Sequence, residues 1–228
     1  MAAHAELLEG LNPSQREAVV HGDGPLLVIA GAGSGKTRVL THRIAYLIEE
    51  RGISPFGLIA ITFTNKAAAE MKSRVGALVG PVAEKMWVST FHSACVRILR
   101  RSADRLSYPS GFTIYDQADA VRLTGYVIRD LGLDTKRFPP RSIHAAISAA
   151  KNDGLDAAAY VARVGNIFER KIGDVFTEYQ SRLVRAGSMD FDDLLGQALR
   201  LLREHPDVLA HYQRRFEHIL VDEYQDTN

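Results

Sequence analysis

Residues Ala30 to Thr37 read AGAGSGKT, and residues 221 to 226 read VDEYQD. The small residues Ala30, Gly31, Ala32, Gly33, Ser34 and Gly35 let backbone N–H groups fold inward around an anion, where larger side chains would obstruct them. Lys36 can then reach the β- and γ-phosphates of a nucleotide, and the Thr37 hydroxyl can ligate Mg²⁺. A helix starting at this point would also turn the positive end of its dipole toward the same anion. The second run closes an apolar strand in Asp222 and Glu223. A carboxylate at a strand tip can hold Mg²⁺ through water, and its neighbour can accept a proton from an attacking water or orient it. A glycine-rich turn alone binds nothing in particular, and an acidic turn after a strand is commonplace. Together they point to nucleotide hydrolysis.

Bringing such groups together requires strands and helices in a defined order. NPSQREAVV offers Asn12 as a helix N-cap and Pro13 at the first helical position. PLLVIA, bounded by Gly24-Pro25 and the glycine loop, reads as a buried parallel strand. From Thr37 to Glu50, the apolar residues Val39, Leu40, Ile44, Leu47 and Ile48 recur at helical spacing. LIAITF reads as a second buried strand, NKAAAEMKSRVGALV as an alanine-rich helix and MWVST as a third strand leading into SACVRILRRS. This alternation predicts an α/β domain around a parallel sheet. From about Gly111 to Ala186 helical periodicities dominate, in DQADAVRLTGYVIRDL and NIFERKIGDVFTEYQSRLV, with no buried strand. DFDDLLGQALRLL, DVLAHYQRRF and the strand HILV follow. The expected organisation is an α/β part over residues 1–110, an inserted all-helical subdomain over 111–186 and a continuation of the α/β part over 187–228. No internal repeat or low-complexity tract is visible.

Composition narrows the class. With 46% hydrophobic and 24% charged residues in 228, the chain suits one large soluble domain or two small ones. It contains no run of eighteen apolar residues, so no membrane span is expected. MAAHAELLEG lacks the basic flank and apolar core of a secretory signal. A single cysteine, Cys95, cannot form an internal disulfide and suits a reducing cytoplasm. No histidine stands at zinc-ligand spacing from Cys95 or from another histidine, so no structural zinc is expected. The net charge of +1 conceals a polarity. Residues 62–105 carry eight basic side chains against three acidic, and residues 186–228 carry four basic against nine acidic. The basic stretch could be a phosphate-backbone surface, or simply solvated helix faces.

At this point six segments can be read together. LNPSQREAV, AGAGSGKTRVLTHRIAYL, AITFTNKAAAEMKSRV, VSTFHSACVRILR, DFDDLL and LVDEYQDTN resemble, in order and spacing, the superfamily-one DNA helicases of the UvrD, PcrA and Rep type. The resemblance implies a RecA-like parallel sheet with a phosphate-binding P-loop and an inserted helical subdomain, using ATP and Mg²⁺. It implies that Gln15 recognises the adenine edge, since a side-chain amide both donates and accepts hydrogen bonds. Arg38 would contact base or sugar, and Gly33, Gly35, Lys36 and Thr37 would hold phosphates and metal. Asp222 would be the magnesium-side carboxylate, Glu223 the general base, and Gln225 a link between nucleotide and DNA. TFTN and STFH would contact single-stranded DNA, with Phe63 stacking on a base and Asn65, Thr90 and His92 bonding the backbone. Taken alone, Phe63 would pass as a core aromatic and His92 as a structural histidine. Trp87 and Cys95 are explained by burial. DFDDLL could orient nucleotide-facing strands or be a helix start capped by Asp190.

Helicases of this type carry a second RecA-like lobe that supplies arginines to the γ-phosphate, and no such segment, nor the strand after DEYQDTN, occurs in these 228 residues. The expectation is therefore an N-terminal fragment of a 3′-to-5′ translocase acting on single-stranded DNA and single/double-strand junctions, with little turnover by itself. Two alternatives stay open: a nucleotide- and DNA-binding module without turnover, and the first lobe of a nuclease-linked recombination helicase.

Overall fold

The computed structural model describes residues 7–227. The chain forms two compact units, one made of the described residues up to Ala94 together with Ala210–Thr227, the other of Cys95–Leu209.

The first unit is α/β. It holds α1 (Pro13–Val20), α2 (Lys36–Glu49), β1 (Leu58–Thr62), α3 (Asn65–Val79), β2 (Trp87–Thr90) and β5 (His218–Val221). The sheet order is β2-β1-β5, parallel throughout. Local chemistry sets the helix starts. The Asn12 side chain accepts the Gln15 N–H, the Gln15 side chain accepts the Asn12 N–H, and Pro13 follows the cap, so α1 begins with a capping box. Thr64 caps α3 by accepting the Ala67 N–H at 3.0 Å, and Gly80 ends that helix at φ 78°. Central β1 is buried along its whole length, as expected of a strand covered on both faces. Ile44 and Leu47 of α2 and Met71 and Val75 of α3 pack with Leu58, Ala60, Val88 and Leu220, each buried Ile, Leu, Met or Val side chain contributing about 1.5–3 kcal/mol. Trp87 lies edge-on to Phe216, with ring centroids 5.1 Å apart. A smaller cluster of Leu11, Ala18, Val19 and Val39 joins α1 to α2.

PLLVIA departs from its expected form. Residues 25–30 take no strand pairing, and Leu27 and Ile29 are 66% and 88% exposed. An apolar run becomes a strand only when a neighbour completes its hydrogen bonds. No described strand lies against this one.

The second unit is mainly helical: α5 (Gln117–Asp130), α6 (Pro140–Asn152), α7 (Ala157–Arg163), α8 (Ile167–Arg185) and α9 (Phe191–Glu204). Val127, Ile128, Ile143, Ile147, Val175, Phe176, Tyr179 and Leu183 form its core. It is not all-helical. Strand β3 (Thr113–Tyr115) pairs in parallel with β4 (Ser188–Asp190), and three residues are too few to show a period of two. The two units part within α4 (Phe91–Ser102) and α10 (Pro206–Arg215). DFDDLL is tied into this unit. Asp190 caps α9 through the Asp193 N–H, and the Lys151 ammonium donates to Asp190 at 2.7 Å and to Asp193 at 2.8 Å. The Tyr179 hydroxyl donates to Asp190 and Gln180 to Asp193. Ion pairs and hydrogen bonds of this kind bind residues 188–193 to α6 and α8. Among the described residues no helix is long and apolar enough to cross a membrane.

Candidate functional site

Because β1, β2 and β5 are parallel, all three end at one edge of the sheet. The register sets Thr62 beside Thr90 and Ile61 beside Val221, so Phe63, Phe91 and Asp222 leave adjacent strand tips. Carboxyl ends of parallel strands are where α/β proteins commonly gather ligand-binding groups.

The glycine loop meets this edge beside β5. Gly33 and Gly35 have φ of 74° and 86°, a region costly for other residues. A Cβ placed on Gly31 or Gly33 would enter open space, with no atom within 4 Å. The loop is closed by the Ser34 hydroxyl, which donates to Gly31 O at 2.6 Å. Helix α2 starts immediately afterwards. Gly35 provides no side-chain cap and the first turn contains no acid, so the first N–H groups and the positive helix end keep their capacity for an anion. The Lys36 ammonium folds over the loop and donates to Ala30 O at 3.2 Å and Gly31 O at 3.3 Å.

From the first turn of α2, the Thr37 hydroxyl comes within 3.4 Å of Asp222 Oδ2. Asp222 is 9% exposed, and its N–H donates to Ile61 O at 2.8 Å, extending the ladder past β5. Burial first, and the neighbouring Glu223 charge second, push its carboxyl above the ordinary carboxylate range. The Glu223 N–H, the Thr37 hydroxyl and the Lys36 charge pull in the opposite direction without cancelling this. A half-desolvated carboxylate beside a hydroxyl is a fit partner for a hard cation. Thr37 and Asp222 would be the residues that hold Mg²⁺, which would supply positive charge beside a bound phosphate. No described cluster of three or more His, Cys, Asp or Glu side chains could hold a metal, so Mg²⁺ here would draw its remaining ligands from phosphate oxygens and water. Glu223 occupies the left-handed region at φ 51°, and the Gln225 amide donates to its carboxylate.

Gln15 reaches the same loop from α1. Its Nε2 donates to Ser34 O at 2.9 Å, while its Oε1 is held by the Asn12 N–H. A Cβ on Gly35 would lie 2.8 Å from that Nε2 and would push the Gln15 amide off the loop. Arg38 extends toward Gly10, where an added Cβ would meet its Nη2 at 2.9 Å. Lys36, Thr37, Asp222 and Gln15 thus meet around one loop, with Glu223 next to Asp222.

The candidate DNA residues divide differently. Phe63 is 39% exposed and lies edge-on to Phe91 at 5.8 Å. Asn65 and His92 are exposed on the first turns of α3 and α4. Thr90 is buried, and its hydroxyl accepts the Ser93 N–H as a helix cap would. Phe91 is not among the residues the sequence singles out; the repetition of Thr-Phe after both strands, in ITFT and STFH, is its signal. Four of the eight basic side chains of residues 62–105 are held by partners within their own unit. Arg74 pairs with Glu70, Lys72 donates to Glu84 O, Arg100 donates to Ser110 O and Phe112 O, and Arg105 pairs with Asp207.

Fold and site together define an α/β protein with a glycine loop facing an acidic strand end. Its family is shown by the match of residues 11–228 to the UvrD/REP helicase N-terminal domain, and the chain belongs to that family. It is 51% identical over 223 residues to the ATP-dependent DNA helicase PcrA of Bacillus subtilis, covering 98% of this chain and 30% of that protein. With the ATP-dependent DNA helicase UvrD1 of Mycobacterium bovis it shares 54% identity over 227 residues, covering 98% and 29%. PcrA of Staphylococcus aureus is 50% identical over 222 residues, covering 97% and 30%. The chain therefore spans under a third of the length of these relatives.

Proposed function

We propose that this chain is the ATP-binding part of an ATP-dependent DNA helicase that moves 3′ to 5′ along single-stranded DNA. The observation that carries the proposal is the approach of Thr37 to Asp222 beside the glycine loop. The loop N–H groups and the start of α2 would hold the phosphates, with the Lys36 ammonium turning from Ala30 O and Gly31 O to the β- and γ-oxygens. Thr37 and Asp222 would hold Mg²⁺, which when bound supplies charge neutralisation at the β- and γ-phosphates. Glu223 would take a proton from the attacking water or orient it, with Gln225 fixing its carboxylate. Gln15 and Arg38 would meet the base and sugar.

Phe63 and Phe91, on strand tips of the same sheet as Asp222, would stack on DNA bases, so nucleotide state and DNA grip share one rigid edge. Asn65 and His92 would bond the DNA backbone. The helical unit would be a subdomain inserted into the RecA-like sheet domain, and single/double-strand junctions and a second RecA-like lobe would be the partners of the whole protein. Residues 1–228 alone should turn over slowly. Lys36 is the described cation at the loop, whereas phosphoryl transfer gains orders of magnitude from further arginines at the γ-phosphate.

Titration calorimetry of ATP into the 228-residue chain, with and without Mg²⁺, tests the assignment. Saturable binding that strengthens with Mg²⁺, and loses that dependence in Asp222→Ala, is expected. Binding indifferent to Mg²⁺ would overturn the metal roles of Thr37 and Asp222, and absence of ATP binding would overturn the nucleotide site.

A further inference from the structure

We propose that Arg43 is a positioning residue that holds Gln15 against the glycine loop, an inference that rests on the nucleotide reading above. Arg43 is 8% exposed. Buried guanidinium groups are ordinarily matched by carboxylates. Among the described residues the hydrogen bonds of Arg43 end on main-chain carbonyls: Nη1 donates to Ala18 O at 3.4 Å, Val19 O at 3.0 Å and His21 O at 2.9 Å, and Nη2 to Gly22 O at 3.3 Å. These carbonyls belong to the last turn of α1 and the residues leaving it, where a helix has no acceptor partners of its own and carries the negative end of its dipole. One planar fork thus closes the end of α1.

Helix α1 needs such an anchor. It is eight residues long, with no basic residue in its last turn, and a helix of that length is not stable by itself. Its opposite end carries Gln15, whose amide spans the Asn12 N–H and Ser34 O. Arg43 stands on α2, the helix that begins with Lys36 and Thr37. Glycine-loop helix and α1 are therefore joined twice, by Gln15 to Ser34 at one end and by Arg43 at the other, with Val19 and Val39 packed between. Freed from Arg43, α1 can tilt about Val19, and that tilt displaces Gln15 while leaving Lys36 and Thr37 in place. Arg43 would then govern contact with the base side of a nucleotide and not the hold on its phosphates.

The test compares ATP with inorganic tripolyphosphate, both with Mg²⁺, by calorimetry on the full 228-residue chain. Arg43→Lys keeps the charge but has one nitrogen and cannot span four carbonyls. Affinity for ATP is expected to fall about tenfold, as for loss of one well-placed hydrogen bond, while tripolyphosphate affinity changes less than about twofold. Gln15→Ala should give the same pattern, and the double variant should be no weaker than Gln15→Ala alone. Equal loss of ATP and tripolyphosphate, or additive losses in the double variant, would overturn the proposal. Amide hydrogen exchange gives a readout that needs no nucleotide. In Arg43→Lys, protection is expected to drop in α1 and to hold in α3, and unchanged protection of α1 would overturn the anchoring whatever the calorimetry shows. If the unmodified chain binds neither ligand, the nucleotide reading itself fails and exchange alone decides the role of Arg43.

Discussion

The Thr37 hydroxyl and the Asp222 carboxylate, 185 residues apart in the chain, stand 3.4 Å from one another at the mouth of the glycine loop. The separation is long for a hydroxyl–carboxylate hydrogen bond. Asp222 is buried, flanked by Glu223 and held above the ordinary carboxylate range. It therefore disfavours ionisation until a positive charge arrives.

That imbalance predicts a pH effect. A carboxyl whose folded-state pKa is raised contributes stability below its unfolded pKa and loses it as pH rises through the folded value. Asp222→Asn should accordingly be more stable than the unmodified chain at about pH 7, the gap narrowing as pH falls toward about 4. Urea midpoints across this range check it. Mg²⁺ should stabilise the unmodified chain and leave Asp222→Asn unchanged, and an equal response would remove Asp222 from the metal site.

Among the described residues Lys36 is held by two carbonyls, at 3.2 and 3.3 Å, and no carboxylate pairs with it. Replacing it with alanine should weaken ATP binding by roughly ten- to a hundredfold, the worth of charge-assisted hydrogen bonds, and should abolish unwinding in the whole protein. Calorimetry and a strand-displacement assay measure the two effects.

Glu223 sits at φ 51° and ψ 48°, where a residue with this side chain stores about 1–2 kcal/mol. Glu223→Gln should retain both strain and ATP binding and lose hydrolysis. Glu223→Asn should also lose hydrolysis but gain up to about 1 kcal/mol of stability, because asparagine tolerates the left-handed region. Thermal melts beside single-turnover ATPase measurements in the whole protein separate strain from chemistry.

Phe63 and Phe91 present one aromatic pair at adjacent strand tips. Stacking contributes about 1–3 kcal/mol per base, so either alanine variant should weaken binding of labelled oligothymidine by roughly five- to a hundredfold in fluorescence anisotropy. The slope of affinity against salt should stay the same, since phosphate contacts are untouched. A changed slope with unchanged affinity would argue against stacking.

Lys151 lies between Asp190 and Asp193. Burial pushes both carboxyls up and Lys151 pulls both down. Asp190, with the Tyr179 hydroxyl and the Asp193 N–H as further donors, ends below the ordinary range, and Asp193 ends above it. Lys151→Met would leave two buried like charges and should cost about 3–5 kcal/mol. Adding Asp193→Asn should restore part of the loss. Urea denaturation of the single and double variants tests both statements.

What the sequence determined by itself was local. Asn12, Pro13 and Gln15 fix the start of α1, Thr64 that of α3 and Asp190 that of α9, because a helix draws its hydrogen bonds and caps from residues a turn away. The glycine loop was legible for the same reason, its small residues and Lys36-Thr37 being consecutive. Tertiary structure decided whatever needed a distant partner. PLLVIA has the composition of a strand, yet residues 25–30 pair with no described strand, since a ladder is completed only from outside the segment. The pair β3–β4, the sharing of Lys151 by two aspartates and the capture of four carbonyls by Arg43 were equally hidden. The meeting of Thr37 with Asp222 was expected from the two motifs read together, but its distance was not: spacing along a chain fixes which groups are available, and only the packing of α2 against the sheet that carries β5 decides how closely they approach.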